Sequence, residues 1–534
     1  MSEWWRGAVI YQIYPRSFQD SDGDGIGDLK GITRRLPHVA DLGADAIWVS
    51  PIFTSPMEDM GYDVSDYTDI DPMFGTLADF DALVDEAHRL GLKVIVDQVI
   101  SHSAAKHPWF AESRASRDNP KADWYVWADP KPDGSPPNNW PSVFGGPAWE
   151  WEPRRRQYYL HNFLISQPDL NFHNSAVQDA LIETMRFWLD RGVDGFRLDT
   201  VNYYFHDAKL RDNPPAPDGG WEMATDVYGM QDHRYSKTQP ENLPFLERLR
   251  NLTDQYDDRM MVGEVGEHGQ KSIDVMAEYT RGEKRLHMAY SFAMLGPQFS
   301  PKHFRTCIDG FLKGAPDGWP SWSFSNHDVP RHVTRWAEHG ANPDALARLC
   351  LAMLMSFEGT IGIYQGEELG QTETELVYEE LTDPPALRFW PEIKGRDGCR
   401  TPMVWEANAP HGGFTTGTPW LPVKAPQLAN AVNGQGAHSV LRFYKDVIAF
   451  RSQSPALKAG RTEFLDTPDP ILAFLRRHKD QTLTCLFNLS PLPQEITLDC
   501  EPRATALSRC KVKGSVITIP PNGFGWFEGE FRAA

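Results

Sequence analysis

The amino-acid sequence predicts an α/β fold: a (β/α)8 TIM barrel with a small inserted domain after strand 3 and a C-terminal antiparallel β domain. Strand-like and helix-like segments alternate along the chain, and about eight apolar strand-like runs occur, near residues 9, 46, 93, 195, 261, 287, 321 and 361. Repeated βα units in that number are typical of a closed barrel. We place the barrel in residues 1–102 and 172–456, the inserted domain in 103–171 and the C-terminal domain in 457–534.

Two βα units of the barrel are well marked. Thr76 and Asp79 resemble a capping box at the start of a helix, and Gly91 ends that helix before a strand-like run at 93–97. The helix that precedes the apolar run 195–198 has one apolar face, made of Leu181, Met185, Trp188 and Leu189. That run is therefore predicted to be a buried strand of a parallel sheet.

The two additional domains follow from breaks in this alternation. The segment from Ser103 to Asn171 is rich in Trp, Pro, Asn and Gly, and a structureless loop of that length is uncommon, so we expect a small inserted domain. Beyond about residue 456 the pattern changes to short β segments with turns, at 471–475, 482–488, 496–499 and 516–519. These segments predict a separate antiparallel domain.

Composition excludes some function classes. The 534 residues carry a formal net charge of -20 and contain no basic block, which argues against nucleic acid or an anionic membrane as a partner. No signal-peptide pattern is present, and the six cysteines form no close CxxC pair. We therefore expect a cytoplasmic protein without an organic cofactor, as a monomer or homodimer.

Polar side chains follow four of the predicted strands where each strand ends. They are Asp97 with His102, Arg197 with Asp199, Glu264, and His327 with Asp328. Successive strand ends of a barrel converge on one cleft, so we expect these groups to form a catalytic site. Arg197 would keep Asp199 ionised and oriented, whereas Glu264 has no adjacent cation in sequence and would have a raised pKa. Such a pair of carboxyl groups suits glycoside hydrolysis.

Several segments resemble the signature regions of the α-amylase family of glycoside hydrolases (family 13), in family order and over nearly the whole chain. They are Asp97 to His102, Gly195 to Asp199, Val262 to Val265 and Phe324 to Asp328. The segments Gln167 to Asn171 and Arg396 to Met403 resemble motifs of the α-glucosidase and oligo-1,6-glucosidase branch of that family.

The resemblance implies a retaining double displacement. Asp199 would attack the anomeric carbon, and Glu264 would protonate the leaving oxygen and then activate water. Asp328 would bind sugar hydroxyls, His102 and His327 would hydrogen-bond the same glucose, and Arg197 would orient Asp199.

The branch also implies a closed pocket for one terminal glucose. Asp59 and Arg400 would pair at its blind end, Tyr62 would stack beneath the sugar, and Phe144 and Phe163 would form part of its wall. Such an enzyme removes single glucose units from a non-reducing end.

The residue after the proposed nucleophile bears on linkage. In this branch Val at that position accompanies α-1,6 specificity, and Ala or Thr accompanies α-1,4 specificity. Thr200 therefore favours an α-glucosidase acting on short α-1,4 glucosides such as maltose, with sucrose also plausible. Ser101 departs from the family, where Asn usually precedes the histidine; in α-amylases that Asn serves a calcium site, so we expect no calcium there.

A different calcium site is predicted near the N-terminus. Oxygen ligands recur at the spacing that begins an EF-hand loop, in Asp20, Asp22, Asp24, the Ile26 carbonyl and Asp28. Position 12 is Gly31 instead of Glu, so the loop is truncated at best. We expect a structural Ca²⁺, with Mg²⁺ able to replace it; the alternative is a polar turn.

Three other functions stay open. An α-1,6-specific oligoglucosidase would share the same residues, and so would a transglycosylase, a sucrose isomerase or a trehalose synthase, in which a sugar replaces water as the acceptor. A non-catalytic binding protein, such as the amylase-like heavy chains of amino-acid transporters, is disfavoured because Asp199, Glu264 and Asp328 are all present.

Overall fold

A computed structural model of the chain describes residues 3–217 and 227–533. The predicted domain ranges also include residues 1, 2, 218–226 and 534, which lie outside this part of the chain. Within the described ranges, eight parallel strands form the central sheet. They are β1 (Val9–Ile13), β2 (Ala46–Val49), β3 (Lys93–Gln98), β4 (Gly195–Leu198), β5 (Met260–Val265), β6 (Met288–Ser291), β7 (Ser321–Ser323) and β8 (Thr360–Tyr364).

The sheet closes into a barrel. Its strand order is β6-β5-β4-β3-β2-β1-β8-β7, and a parallel bridge between Ala289 and Pro320 joins the two end strands. Strands β1, β4, β5 and β6 are buried along their whole length, as expected for strands that are covered on both faces. The prediction of a (β/α)8 barrel is confirmed.

A long helix follows each strand and packs outside the barrel. These helices are α1 (Leu29–Leu42), α2 (Leu77–Arg89), α3 (Ser175–Asp190), α4 (Asn242–Thr253), α5 (Gly269–Thr280), α6 (Pro301–Gly314), α7 (Pro343–Leu354) and α8 (Val440–Gln453). The predicted capping box is confirmed, because the Thr76 side chain accepts from the Asp79 amide and the Asp79 side chain accepts from the Thr76 amide. Shorter α-helices span Pro108–Ser113, His332–Arg335, Pro384–Phe389, Asp397–Arg400, Ala425–Leu428 and Pro455–Ala459. Among the helices that the structure describes, none has the length and hydrophobicity needed to cross a bilayer.

The two additional β regions are present. Strands Trp127–Ala128, Trp149–Glu152 and Gln157–Leu160 form an antiparallel sheet inside the long segment between β3 and α3. The C-terminal region has one sheet of Arg461–Phe464, Ile471–His478, Gln481–Asn488, Phe524–Glu528 and Arg503–Ala504, and another of Gln494–Thr497, Val516–Ile519 and Lys511–Lys513. A short hairpin, Phe53–Thr54 with Asp66–Ile70, lies between β2 and α2. The antiparallel C-terminal region is as predicted, while the domain boundaries stay predictions.

Candidate active site

The polar residues at the strand ends meet in one cavity of about 290 Å³. Asp199 directly follows β4, Glu264 lies near the end of β5, and Asp328 follows β7; all three line this cavity. In the barrel Asp97 of β3 is the register partner of Arg197 of β4. The prediction that these strand ends converge on one cleft is confirmed.

Arg197 is the centre of the charge arrangement. Its side chain is fully buried, and its Nη1 atom lies 2.9 Å from Asp97 Oδ1 and 2.5 Å from Asp199 Oδ1. Its Nη2 atom lies 2.5 Å from Glu264 Oε1. The neighbouring strand thus supplies Glu264 with a cation that the sequence around Glu264 does not contain.

Burial determines the protonation of these carboxyl groups. It raises the pKa of Asp199 to about 7 and that of Glu264 to about 7, although Arg197 lowers both. It also raises the pKa of Asp97 to about 6. Arg197 thus acts on Asp199 in the predicted direction, but desolvation is the larger effect. One guanidinium does not neutralise three buried carboxylates, so the group holds a proton near neutral pH.

Asp328 is ionised by contrast. Burial would raise its pKa, but His327, Arg396 and Arg400 together hold the pKa of Asp328 below its ordinary value. Arg400 Nη2 lies 3.1 Å from Asp328 Oδ1, and Arg396 Nη1 lies 3.4 Å from the same atom. Burial lowers the pKa of His327 in turn.

The ion pair at the far end of the pocket differs from the predicted one. Asp59 Oδ1 lies 2.8 Å from Arg396 Nη2, not against Arg400, and the Gln167 side chain donates to Asp59 Oδ2 over 3.0 Å. Arg396 is held in turn by Asp383, 2.7 Å away. The predicted Asp59–Arg400 pair is therefore wrong: both arginines belong to one motif, four residues apart, and sequence did not distinguish which side chain reaches Asp59.

Aromatic rings surround the pocket. The Tyr62 ring stacks on His327 with centroids 5.2 Å apart, and its hydroxyl contacts the Nε2 atom of that histidine. Phe163 lies between Phe144 and His102, with centroid distances of 5.7 and 5.2 Å. An aromatic wall of this kind packs against the apolar faces of a sugar ring, which agrees with the predicted positions.

Thr200 links the nucleophile candidate to the acid candidate. Its backbone has a φ of 41°, in the left-handed region that a β-branched residue rarely adopts. In this conformation its amide donates to Glu264 Oε2 over 3.1 Å, and its hydroxyl donates to Asp199 Oδ2 over 3.2 Å. The residue predicted to affect linkage thus contacts both carboxyl groups.

Most predicted residues line the cavity. Asp59, Tyr62, His102, Phe144, Phe163, Asp199, Thr200, Glu264 and Asp328 face it. Arg197, His327 and Arg400 are fully buried behind them and act through their contacts. Sequence reasoning missed the lining residues Val143, Tyr203, Tyr228, Gly266, His268, Phe292 and Arg396. Arg396 begins one of the motifs, and Gly266 and Phe292 directly follow strands β5 and β6, whereas the other four lie in segments with no pattern of their own.

The predicted calcium loop brings three carboxylates together. Asp20, Asp22 and Asp28 each place an oxygen within 4.8 Å of the others. Asp24 is not part of this group, and its Oδ1 atom accepts from the Ile26 amide over 2.8 Å instead. Three carboxylates without nitrogen or sulfur ligands fit a hard cation such as Ca²⁺ or Mg²⁺. The Ile26 carbonyl stays a prediction.

Comparison with known proteins gives consistent results. A family model described as alpha amylase, catalytic domain, matches residues 12–460. A probable alpha-glucosidase of Rhizobium meliloti (strain 1021) is 58% identical over 495 residues, covering 91% of this chain and 90% of the relative. An oligo-1,6-glucosidase of Heyndrickxia coagulans is 38% identical over 531 residues, covering 92% and 93%. The crystal structure of the alpha-glucosyl transfer enzyme XgtA superposes with a TM-score of 0.96 at 52% identity, covering 99% and 100%.

Proposed function

The chain belongs to the alpha-amylase family, and from that premise we propose that it is a retaining, exo-acting α-glucosidase. It releases α-glucose from the non-reducing end of short α-1,4-linked glucosides of the maltose type, with sucrose as a further substrate. The relative that shares 58% of its residues is named a probable alpha-glucosidase, which supports this assignment.

Two carboxyl groups perform the reaction. An oxygen of Asp199 attacks the anomeric carbon while Glu264 donates its proton to the leaving glycosidic oxygen, which gives a glucosyl ester on Asp199. Glu264 then removes a proton from water, and the resulting hydroxide oxygen displaces Asp199 from the same carbon. Two inversions leave the product in the α configuration.

The observation that supports this mechanism most is the shared contact of both carboxyl groups with Arg197. One guanidinium holds Asp199 and Glu264 at 2.5 Å each, which favours the separation of about 5 Å typical of retaining glycosidases. Their raised pKa values keep one proton in the pair near neutral pH, as an acid acting beside an ionised nucleophile requires.

The pocket end supports exo action. Arg396 lines the cavity, bridges Asp59 and Asp383, and also approaches Asp328. A charged group of this kind suits hydrogen bonding to the hydroxyls of a terminal sugar, which favours removal of single glucose units. The preference for α-1,4 bonds rests on Thr200 and on the resemblance.

Transfer of glucose to another sugar or alcohol is a second candidate activity. The similarity to an enzyme described as an alpha-glucosyl transfer enzyme, at 52% identity over nearly the whole chain, favours it. The same glucosyl-enzyme serves both reactions, and the acceptor decides between them.

The remaining parts of the proposal concern a bound cation, the cellular location and the oligomeric state. We propose a structural Ca²⁺ at Asp20, Asp22 and Asp28, which an oxygen-only ligand set supports. A cytoplasmic location and a monomeric or homodimeric state rest on the sequence argument alone. Cell fractionation and light scattering on the purified protein test these two statements.

Turnover of p-nitrophenyl α-glucoside and a panel of disaccharides tests the function. The wild type releases glucose from maltose, and Asp199→Asn loses activity by about four orders of magnitude or more, as loss of a nucleophile does. The exposed Asp69→Asn variant is the matched control and keeps wild-type turnover. Undiminished activity in Asp199→Asn overturns the assignment, and trehalose or isomaltulose as the main product overturns hydrolysis.

A further inference from the structure

A chain of hydrogen-bonding groups joins His102 to the nucleophile through two hydroxyls. Ser101 Oγ lies 2.9 Å from His102 Nδ1 and 3.0 Å from Thr200 Oγ1. Thr200 Oγ1 lies in turn 3.2 Å from Asp199 Oδ2. Ser101 and His102 are buried, so these contacts are shielded from solvent.

The far end of the chain has a defined tautomer. His102 Nε2 lies 2.8 Å from the Tyr62 carbonyl oxygen, which only accepts hydrogen bonds, so Nε2 carries a proton. The Gln167 amide nitrogen is also 3.2 Å from His102 Nε2, but it donates its two protons to Asp59 Oδ2 and to the Tyr62 carbonyl. Burial lowers the pKa of His102, which makes the ring neutral. Its Nδ1 atom is therefore an acceptor, and the Ser101 hydroxyl is the group that donates to it.

The hydroxyl protons are too few for the contacts when Asp199 is ionised. Three contacts join His102, Ser101, Thr200 and Asp199, but the two hydroxyls have one proton each. If Ser101 donates to His102, Thr200 donates either to Ser101 or to Asp199. A proton on Asp199 fills all three contacts, because Asp199 then donates to Thr200, Thr200 to Ser101, and Ser101 to His102.

We propose that Ser101 is a positioning residue for the reaction: it competes with Asp199 for the Thr200 hydroxyl proton and so couples the nucleophile to His102. This inference rests on the proposed function, since it takes Asp199 as the nucleophile. Ser101 itself does not line the cavity and acts through Thr200 and His102.

The proposal predicts opposite effects for the two hydroxyls. Without the Ser101 hydroxyl, Thr200 donates to Asp199 alone, the ionised form is stabilised, and the pKa of Asp199 falls. Without the Thr200 hydroxyl, Asp199 loses a donor and its pKa rises. Other charged and titratable groups face Asp199 from the packed elements and are the same in every variant: Asp97, Arg197, Glu264, Tyr62, Tyr204 and Asp328.

The test is the acidic limb of kcat/KM against pH, measured with p-nitrophenyl α-glucoside, whose leaving group needs little acid assistance. Ser101→Ala moves the limb to lower pH by about 0.5 unit, and Thr200→Ala moves it to higher pH by about 0.5 unit, roughly a threefold change each on the acidic side. Thr200→Ser restores the wild-type position. The position of the limb does not depend on how much of a variant is folded.

Ser103→Ala is the matched control. Ser103 is a buried serine of the same segment whose hydroxyl contacts the Tyr125 hydroxyl, 2.6 Å away, and not the site. Its limb stays at the wild-type pH. Shifts of the same sign in Ser101→Ala and Thr200→Ala, or no shift in Ser101→Ala, overturn the proposal. Activity that survives in Asp199→Asn instead overturns the proposed function, so the two failures are distinguishable.

Discussion

A double-mutant cycle tests the ion pair at the end of the pocket. The variants are Asp59→Ala, Arg396→Ala and the combination, with Arg400→Ala in a second cycle. Asp59 Oδ1 and Arg396 Nη2 are 2.8 Å apart, and the two side chains are only 4% and 15% exposed. A hydrogen bond between charged groups so shielded contributes about 2 kcal/mol to the free energy of unfolding, so we expect a coupling of about that size between the two residues.

Urea unfolding of the wild type and of the variants of each cycle provides the measurement. Each single variant lowers the free energy of unfolding, and the Asp59–Arg396 double variant loses about 2 kcal/mol less than the sum of the two single losses. The Asp59–Arg400 coupling is smaller, below about 1 kcal/mol, because Arg400 contacts Asp328 and the His327 carbonyl and is connected to Asp59 only through Arg396. A coupling to Arg400 as large as that to Arg396 would refute the observed pairing and restore the one predicted from sequence.

Three further predictions follow from the described contacts. Burial raises the pKa of Glu367 to about 8. The protonated side chain of Glu367 therefore makes its full contribution to the free energy of unfolding below pH 4.5. That contribution is lost as the pH rises to about 8, by at most roughly 5 kcal/mol. The melting temperature of Glu367→Gln consequently falls less between pH 6 and 9 than that of the wild type. An equal fall in both proteins contradicts the raised pKa of Glu367. If the loop at Asp20, Asp22 and Asp28 holds Ca²⁺, chelation with EDTA lowers the melting temperature by a few degrees and added Ca²⁺ restores it. Asp22→Asn abolishes this response. A melting temperature that changes with neither EDTA nor Ca²⁺ means that the loop is a polar turn without a metal. Thr200→Val removes the hydroxyl that donates to Asp199 and raises the ratio of isomaltose to maltose hydrolysis several-fold; an unchanged ratio shows that Thr200 does not set linkage.

Local patterns allowed the strands and their polar ends to be predicted. Buried parallel strands have continuous apolar runs, so Gly195–Leu198 and Met260–Val265 were recognisable, and their exits indicated Asp199 and Glu264. The capping box at Thr76 was equally local. These features depend on neighbours within a few residues, which is why sequence reasoning found them.

Contacts between distant segments were not predictable in the same way. Glu264 contacts Arg197 from the adjacent strand. Asp59 pairs with Arg396 and not with Arg400, although more than three hundred residues separate Asp59 from both. The pKa of Asp199 also depends on complete burial, which overrides its cation. These contacts and pKa shifts depend on the length and direction of side chains and on the exclusion of solvent in the folded protein. A short sequence motif shows neither.

The configuration of the first product tests the central claim most directly. Proton NMR during the first minutes of p-nitrophenyl α-glucoside hydrolysis, before mutarotation, distinguishes the anomeric protons of α- and β-glucose, and this substrate releases glucose only from its non-reducing unit. Double displacement through Asp199 predicts α-glucose first, with β-glucose appearing only by mutarotation. β-Glucose as the first product would mean a single inversion by water, and it would contradict the role of Asp199 as the nucleophile.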